Sequence, residues 1–252
     1  MKKFLLSLSI AGLIFVGGKL NAAIALDWSE WKDDFVAGGN NQSLTTSEGL
    51  TITYSWSKDP ATTLQFGTPD IASRAEGNWQ FNGTGGEADD YLDVFQEALS
   101  GDGSTHRFEF SSSVSGLSFD LWDLDSSTTG ANLYTDQVMV IGFDQDGNQI
   151  DPVSGTPFNP ANIVQIDSHT WQATSGNGAS SVSQEGNLTI QFDEAVAAFE
   201  IEYLNVSGET SAGNQGFGLY NFSETSQVPE PSAGLLALLG STLLLTRRSR
   251  GR

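Results

Sequence analysis

The 252-residue chain contains no cysteine and, away from its two ends, very few basic residues. Without cysteine, no disulfide can cross-link the fold and no thiolate can bind a metal or act as a nucleophile. Seven of the 11 basic residues lie in the first 19 or the last six positions, so residues 26–231 hold four basic residues against all 31 acidic ones. A net charge of about −27 on this segment repels phosphate backbones, which argues against a nucleic-acid partner.

The amino-terminal end has the order of a secretory signal peptide. Lys2 and Lys3 precede the apolar run Phe4–Val16, and small residues follow in the zone 22–25. A charged start, a short apolar run and a small-residue exit are typical of a leader that is removed on export, and the run is too short for a membrane span. We therefore expect residues 1–25 to be a signal peptide and the protein to be exported through the inner membrane.

The carboxyl-terminal end carries a second targeting signal. A polar linker, 223–227, leads to Pro229-Glu230-Pro231, then to the apolar stretch Ala233–Leu245 and an arginine-rich end, 247–252. A helix over the apolar stretch would span roughly 20 Å, short of the roughly 30 Å hydrocarbon core. We expect transient insertion into the inner membrane, with the arginines on the cytoplasmic side. The prolines keep the motif extended and accessible to a protease.

This order of motif, hydrophobic sorting helix and arginine cluster, across residues 228–252, resembles the PEP-CTERM sorting signal of Gram-negative bacteria. The resemblance implies that a membrane-embedded cysteine protease, an exosortase, reads Pro229, Glu230 and Pro231 and cuts nearby. It also implies a host that makes exopolysaccharide or biofilm matrix. The rest of the chain lies outside this resemblance.

Alternation of apolar and polar residues dominates residues 26–222 and predicts β-strands. Over Leu188–Phe192, the residues Leu188, Ile190 and Phe192 share one face of a strand. Over Ala197–Val206, apolar residues alternate with glutamates, as in half-buried antiparallel strands. Further strands are predicted at Leu50–Trp56, His106–Phe110, Gly116–Leu124, Gln137–Asp144, Gln149–Val153, Ile163–Asp167 and Gly216–Phe222, the last of these with a plausible bulge.

Many short strands separated by Gly, Asn and Ser turns predict an all-β fold. We expect one domain, an antiparallel two-sheet β-sandwich that is jelly-roll-like. Residues 105–225 also resemble exported bacterial β-sandwich domains, through Phe108-Glu109-Phe110, the run 114–125 and the hairpin Val138–Ile150. A helical period occurs only over Asp89–Leu99, where we expect a short helix.

Four aspartates form the best candidate for a metal site: Asp120, Asp123, Asp125 and Asp136. Carboxylates two residues apart project to the same side of a strand, so Asp123 and Asp125 can reach one cation. Calcium takes six to eight oxygen ligands, some of which the loop 126–134 can supply. The alternative is an acidic strand end exposed to solvent. Residues 144–151 depart from EF-hand spacing and instead predict a hairpin.

The two histidines, His106 and His169, have no nucleophile motif around them, so no catalytic residue is predicted. Trp122 is opposite in phase to Phe119 and Leu121, which predicts an outward-facing ring. An outward ring can stack on a sugar, and ordinary packing at the sheet is the alternative.

The two targeting signals and the lack of a catalytic motif favour an exported, non-enzymatic surface or extracellular-matrix protein. Its role would be adhesive or structural, in exopolysaccharide or biofilm. A carbohydrate-binding module is the alternative function, and a secreted hydrolase is a third.

Overall fold

A computed structural model describes residues 25–26, 28–47, 49–65, 67–73, 90–127, 133–174, 184–208 and 213–224. Most of the predicted signal peptide, the linker from residue 225 and the motif Pro229-Glu230-Pro231 with its helix lie outside these residues. The helices described are α1 (Trp28–Lys32) and a 3₁₀ turn (Gln184–Gly186). Within the described part of the chain, no helix is long and apolar enough to cross a membrane.

Strands make up most of the described chain. In chain order they are β1 (Ala25–Leu26), β2 (Gln42–Thr45), β3 (Thr51–Lys58), β4 (Thr63–Leu64), β5 (Asp70–Ser73), β6 (Asp90–Ala98), β7 (Gly103–Val114), β8 (Leu117–Trp122), β9 (Ser126–Ser127), β10 (Tyr134–Phe143), β11 (Gln149–Ile150), β12 (Ser154–Pro157), β13 (Ile163–Gln165), β14 (Thr170–Ala173), β15 (Leu188–Gln191), β16 (Val196–Asn205) and β17 (Gly213–Glu224).

The strands form two antiparallel sheets, which confirms the predicted β-sandwich. The first sheet runs β12-β15-β8-β17-β6-β4, and the second runs β13-β14-β10-β16-β7-β3-β2. Eight long or central strands, taken as one to eight along the chain, are β6, β7, β8, β10, β14, β15, β16 and β17. Their order is 1-8-3-6 in the first sheet and 2-7-4-5 in the second, which is the jelly-roll connection.

The core lies between the inner faces of the two sheets. Phe119 of the first sheet stacks on Phe199 of the second, with ring centroids 4.7 Å apart, and Phe108 of the second sheet also stacks on Phe199, at 4.8 Å. The predicted inward residues Leu188, Ile190 and Phe192 are fully buried, because every second residue of an antiparallel strand faces the core. The short helix α1 closes one side with two buried tryptophans, Trp28 and Trp31.

The predicted helix over Asp89–Leu99 is wrong, because Asp90–Ala98 is strand β6. Leu92 and Val94 face the core, and Tyr91 and Phe95 lie on the opposite face of the same strand. Apolar residues on both faces hide the two-residue alternation and imitate a helical period. The strand pairs with β17 along most of its length, so pairing decides its structure.

Two local predictions hold. The pairing of β17 with β8 is irregular between Tyr220 and Ser223, where a bulge was expected. Residues 144–151 form a hairpin turn between β10 and β11, with Gly147 at a positive φ of 80°. The Asp144 carboxylate closes this turn by accepting hydrogen bonds from the backbone of Asp146 and from Asn148.

Candidate functional site

On the outward face of the first sheet, directly opposed residues form a row that crosses β8, β17, β6 and the short strand β5. Trp122 of β8 lies directly opposite Gly218 of β17, and Gly218 lies opposite Asp93 of β6. Asp93 in turn lies opposite Asp70 of β5. Directly opposed residues share one face of a sheet, so Trp122, Asp93 and Asp70 all project away from the core. Trp122 therefore lies on the predicted face.

The Trp122 ring is not an open platform. It belongs to a second cluster of buried aromatic residues, separate from the main core, whose other members are Tyr91 and Tyr220. The ring centroids are 4.5 Å apart for Trp122 and Tyr220 and 5.4 Å apart for Trp122 and Tyr91. These tilted contacts leave Trp122 only 3% exposed. We call these three residues the outer aromatic cluster.

Two glycines of β17 let these rings lie close to the sheet. A Cβ atom on Gly218 would come within 3.0 Å of Tyr91 Cδ2 and 3.2 Å of Trp122 Cε3. On Gly216 it would come within 2.6 Å of Phe95 Cδ2. The rings of neighbouring strands therefore lean over a strip of β17 that has no side chain, a use of glycine found where groups approach the backbone closely.

A shallow depression of about 20 Å³ lies beside the outer aromatic cluster. The residues that line it include Tyr91, Phe95, Trp122, Asp93 and Asp123. A space of this size holds about one water molecule, so a larger group would lie against the depression and not inside it. Large rings with a few polar groups are the usual lining of a small-molecule site.

Sequence reasoning found Trp122 and Asp123 but missed Tyr91, Asp93 and Phe95. All three lie on β6, which the sequence predicted as a helix, and a helix would not align them on one face. The alternation of Tyr91, Asp93 and Phe95 with the inward Leu92 and Val94 was the available signal.

Asp125 and Asp136 are brought together, as the metal prediction required. The backbone N–H of Asp125 donates to Asp136 Oδ2 at 2.9 Å, and the N–H of Asp136 donates to the carbonyl oxygen of Asp125 at 3.0 Å. Burial raises the pKa of Asp125 to about 6, against a hydrogen bond from Tyr134 that lowers it. Burial and the neighbouring Asp125 also hold the pKa of Asp136 well above its usual value.

Asp123 follows β8 in the left-handed region, at a φ of 63°, and its charge adds to the rise in the pKa of Asp136. Asp120 is placed elsewhere, on the outward face of β8, where the Thr189 hydroxyl donates to it at 2.6 Å. In the described ranges, no three or more carboxylate, imidazole or thiol groups are placed to hold a metal ion. Calcium at these four aspartates stays a prediction, since part of the loop 126–134 lies outside the described residues.

His106 is completely buried in a directional chain of hydrogen bonds. The Ser104 hydroxyl donates to Gln96 Oε1 at 2.7 Å, so Ser104 Oγ can only accept from His106 Nε2 at 2.9 Å. His106 Nδ1 then accepts from the Tyr54 hydroxyl at 2.7 Å, and Gln96 donates to the carbonyl oxygen of Tyr203 at 3.2 Å. Burial lowers the pKa of His106 to about 3, so the ring is neutral. This chain of hydrogen bonds joins the two sheets through Gln96, which lies on β6 of the first sheet, and His106 is not a base for Ser104.

His169 also sits beside a serine. The Ser168 hydroxyl donates to Asp151 Oδ2 at 2.7 Å, so Ser168 Oγ accepts from His169 Nδ1 at 3.0 Å. The hydroxyl proton of Ser168 therefore points at Asp151 and away from His169, so His169 is not placed to accept it. The same polarity occurs in both serine–histidine pairs, and neither is arranged as a nucleophile with its base.

The fold and the depression define an antiparallel jelly-roll sandwich with an aromatic and acidic recess on one outer face. No protein-family model and no curated protein matches the chain. It is similar to the CBM22-1–GH10 modules of Clostridium thermocellum xylanase 10B, complexed with xylohexaose, at 12% identity and a TM-score of 0.31. That match covers 68% of this chain and 26% of the other chain, so the chain spans about a quarter of the xylanase fragment.

Two further solved structures are similar. The CBM22-1 xylan-binding domain of Paenibacillus barcinonensis Xyn10C shares 13% identity at a TM-score of 0.26, over 75% of this chain and 95% of that one. A structure of carbohydrate-binding modules from the β-sandwich superfamily shares 10% identity at a TM-score of 0.29, over 77% of this chain and 59% of that one. The sandwich assignment rests on the strand pairing described above.

Proposed function

We propose that the protein is an exported, non-enzymatic, glycan-binding sandwich that holds a sugar residue against the outward face of the first sheet, at the depression beside Trp122. The observation that carries this proposal is the meeting of aromatic rings and carboxylates on the outward face of the first sheet. Tyr91, Phe95 and Trp122 supply the apolar wall, and Asp93 and Asp123 supply acceptors in the same space.

The chemistry of this lining suits a sugar. A pyranose presents C–H groups on its ring face and hydroxyl groups around its edge, so it is bound best by an apolar surface next to fixed acceptors. The rigid sheet below fixes the rings, because Trp122 packs between Tyr91 and Tyr220. Such preorganisation lowers the entropy lost on binding.

The test is binding of the purified full-length chain to a glycan array, followed by calorimetry on the glycans retained. Trp122→Ala should lower affinity roughly tenfold, because it removes the ring that holds Tyr91 in place beside the depression. Phe95→Leu keeps most of the apolar volume without the ring and should also weaken binding, so it serves as the test if Trp122→Ala does not fold. The matched control is Phe143→Ala, which removes an aromatic ring under Arg107 on the second sheet and should leave affinity unchanged.

An array that retains no glycan would contradict the proposed glycan binding. Full affinity in the folded Trp122→Ala and Phe95→Leu variants would contradict the proposed site. Retained binding that falls in Phe143→Ala alone would place the site on the second sheet.

The destination of the chain is a separate part of the proposal. Residues 1–25 and the PEP-CTERM-like segment 228–252 support export, transient inner-membrane insertion and cleavage by an exosortase-like protease near Pro229-Glu230-Pro231. At the cell surface or in the matrix, a glycan-binding sandwich would attach to exopolysaccharide, which is the adhesive role predicted from the sequence.

Deleting residues 229–252 should send the body to the medium without membrane-dependent processing. Mass spectrometry of the mature carboxyl terminus from the native host reports both the cut and any adduct. An intact tail in cells that hold an active sorting protease would contradict this part, whatever the glycan array shows.

A further inference from the structure

We propose that the outward face of the second sheet binds a primary alkylammonium group, that is, a positively charged amine on an aliphatic chain. A depression of about 210 Å³ lies on this face and is lined by Thr105, Met139, Ile141, Glu200 and Glu202. It has about ten times the volume of the depression on the first sheet, where the glycan is proposed to bind. About seven water molecules of the liquid fill the same volume, so a short aliphatic amine fits here.

Two glutamates of β16 line this depression, and they differ in what lies opposite them. Glu200 lies opposite Arg107 of β7, and Arg107 Nη1 donates to Glu200 Oε1 at 2.7 Å. Two positions further along β16, Glu202 lies opposite Thr105. Directly opposed residues share one face of a sheet, so the two pairs are neighbours on the outward face. The second pair therefore has a short, uncharged side chain where the first pair has a cation.

Glu202 has neither a hydrogen bond nor an ion pair to its carboxylate among the described residues. Partial burial raises the pKa of Glu202, and the negative charges of Asp59 and Glu200 raise it further. A cation bound beside Glu202 would stabilise the ionised carboxylate and so offset the burial and the repulsion.

The basic residues of the two neighbouring strands are held elsewhere. Arg107 pairs with two glutamates, and its guanidinium lies 4.9 Å from the centre of the Phe143 ring. Lys58, the last residue of β3, donates to two backbone oxygens. A cation for Glu202 therefore has to come from another molecule.

The apolar part of the lining sets the body of that ligand. Met139 and Ile141 of β10 are half-buried, and they lie opposite Glu202 and Glu200. An aliphatic chain placed on these two side chains removes apolar surface from water while its ammonium group reaches the carboxylate. None of the five lining residues is aromatic, so this depression offers no stacking surface for a sugar ring.

NMR titration of the isotope-labelled full-length chain measures this binding. Pentylammonium should shift the amide signals of Thr105 and Glu202, and it should bind about fivefold more tightly than pentanol, which has the chain without the charge. It should also bind about fivefold more tightly than methylammonium, which has the charge without the chain. Nα-acetyl-lysine amide distinguishes the source: affinity equal to that of pentylammonium identifies a lysine of a partner protein as the ligand, and weaker binding identifies a free amine.

Glu202→Gln should remove the preference for pentylammonium over pentanol, because it keeps the shape of the side chain and removes its charge. Thr105→Arg should also remove it, because an internal cation would take the place of the ligand, as Arg107 does beside Glu200. Glu30→Gln is the matched control, since it removes one charge from an exposed position on α1 and should leave the preference unchanged.

Equal binding of pentylammonium, methylammonium and pentanol would overturn the inference, and so would a preference that survives in Glu202→Gln. A preference that falls equally in Glu30→Gln would mean attraction by net charge alone and would overturn it as well.

Discussion

Asp125 and Asp136 put two carboxyl groups into the interior of a protein that has very few cations. Each raises the cost of ionising the other, and burial adds to that cost, so the pKa values of both are raised. The Asp125 N–H donates to the Asp136 carboxylate and the Asp136 N–H donates to the Asp125 carbonyl oxygen, and these two hydrogen bonds connect the segment after β8 to the start of β10. The pair therefore couples the protonation of the interior to the stability of the sandwich.

The first prediction is that Asp125→Asn becomes more stable than the wild type as the pH rises. The folded-state pKa of Asp125 is about 6, against an ordinary value of 3.8, so the folded state binds more protons between about pH 4 and pH 6. Wild-type stability from this group is thus present at low pH and is lost as the pH rises through 6. The difference in unfolding free energy should grow by on the order of 2 kcal/mol from pH 4 to pH 7 in favour of the variant.

Urea unfolding at several pH values measures this difference. The lowered pKa of His106, about 3, gives stability the opposite slope below pH 6.5, but it acts in both proteins and cancels. Asp146→Asn, which changes an exposed carboxylate in the hairpin turn, is the control. A difference that is flat or that shrinks with rising pH in Asp125→Asn would mean that the pair does not hold its proton in the folded state.

At the residue scale, the sequence predicted the direction of a side chain but not its neighbours. The phase of β8 was enough to turn Trp122 away from Phe119 and Leu121, and the structure agrees. Tyr91 lies more than thirty positions earlier in the chain, and it meets Trp122 only because β17 lies between β8 and β6. A single sequence carries no local signal for that order.

Among the strands, β6 is the one whose secondary structure the sequence pattern predicted wrongly. Strands with one polar face, such as β15 and β16, alternate clearly and were predicted within one residue at each end. Strand β6 has apolar residues on both faces, because its outer face packs in the aromatic cluster and lines the depression. The apolar residues on the outer face of β6 therefore belong to the candidate site, and they are also the reason that the sequence predicted a helix there. Where a functional surface buries aromatic rings, apolar residues occur on both faces of a strand, and the alternation of apolar and polar residues no longer identifies it.

The second prediction concerns β17, on which the aromatic rings rest. In Gly216→Ala the new Cβ would lie 2.9 Å from the carbonyl oxygen of Val94 as well as against the Phe95 ring, so backbone must move. In Gly218→Ala it would meet only the rings of Tyr91 and Trp122, which can turn. We expect Gly216→Ala to lose about 2 kcal/mol of unfolding free energy and Gly218→Ala less than about 1 kcal/mol.

Denaturant unfolding of the two variants beside the wild type checks this order. Equal losses, or a larger loss in Gly218→Ala, would show that the outer aromatic cluster is more rigid than the strand that supports it.

The jelly-roll order brings distant parts of the chain together and explains how one domain holds so much negative charge. Its interior is sealed by apolar contacts between sheets, such as Phe119 on Phe199, and by the hydrogen-bond chain through His106. Among the described residues, the carboxyl groups other than those of Asp125 and Asp136 are left wholly or partly on the surface, where water and counter-ions screen them. The sandwich class could be predicted from many short strands, but the pairing of β6 with β17 could not, since these strands are separated by most of the domain.

The third prediction is that salt stabilises the whole molecule through its charge. Repulsion within a segment that carries about −27 opposes the compact state, and the distance over which it acts falls from about 30 Å at 0.01 M salt to about 10 Å at 0.1 M. The melting temperature should therefore rise with sodium chloride over this range. A melting temperature that stays constant or falls as sodium chloride is added would contradict this. At matched ionic strength, a rise with calcium chloride that exceeds the rise with magnesium chloride, and that a chelator and Asp125→Asn both abolish, would be a separate effect and would support the calcium site predicted at the aspartates.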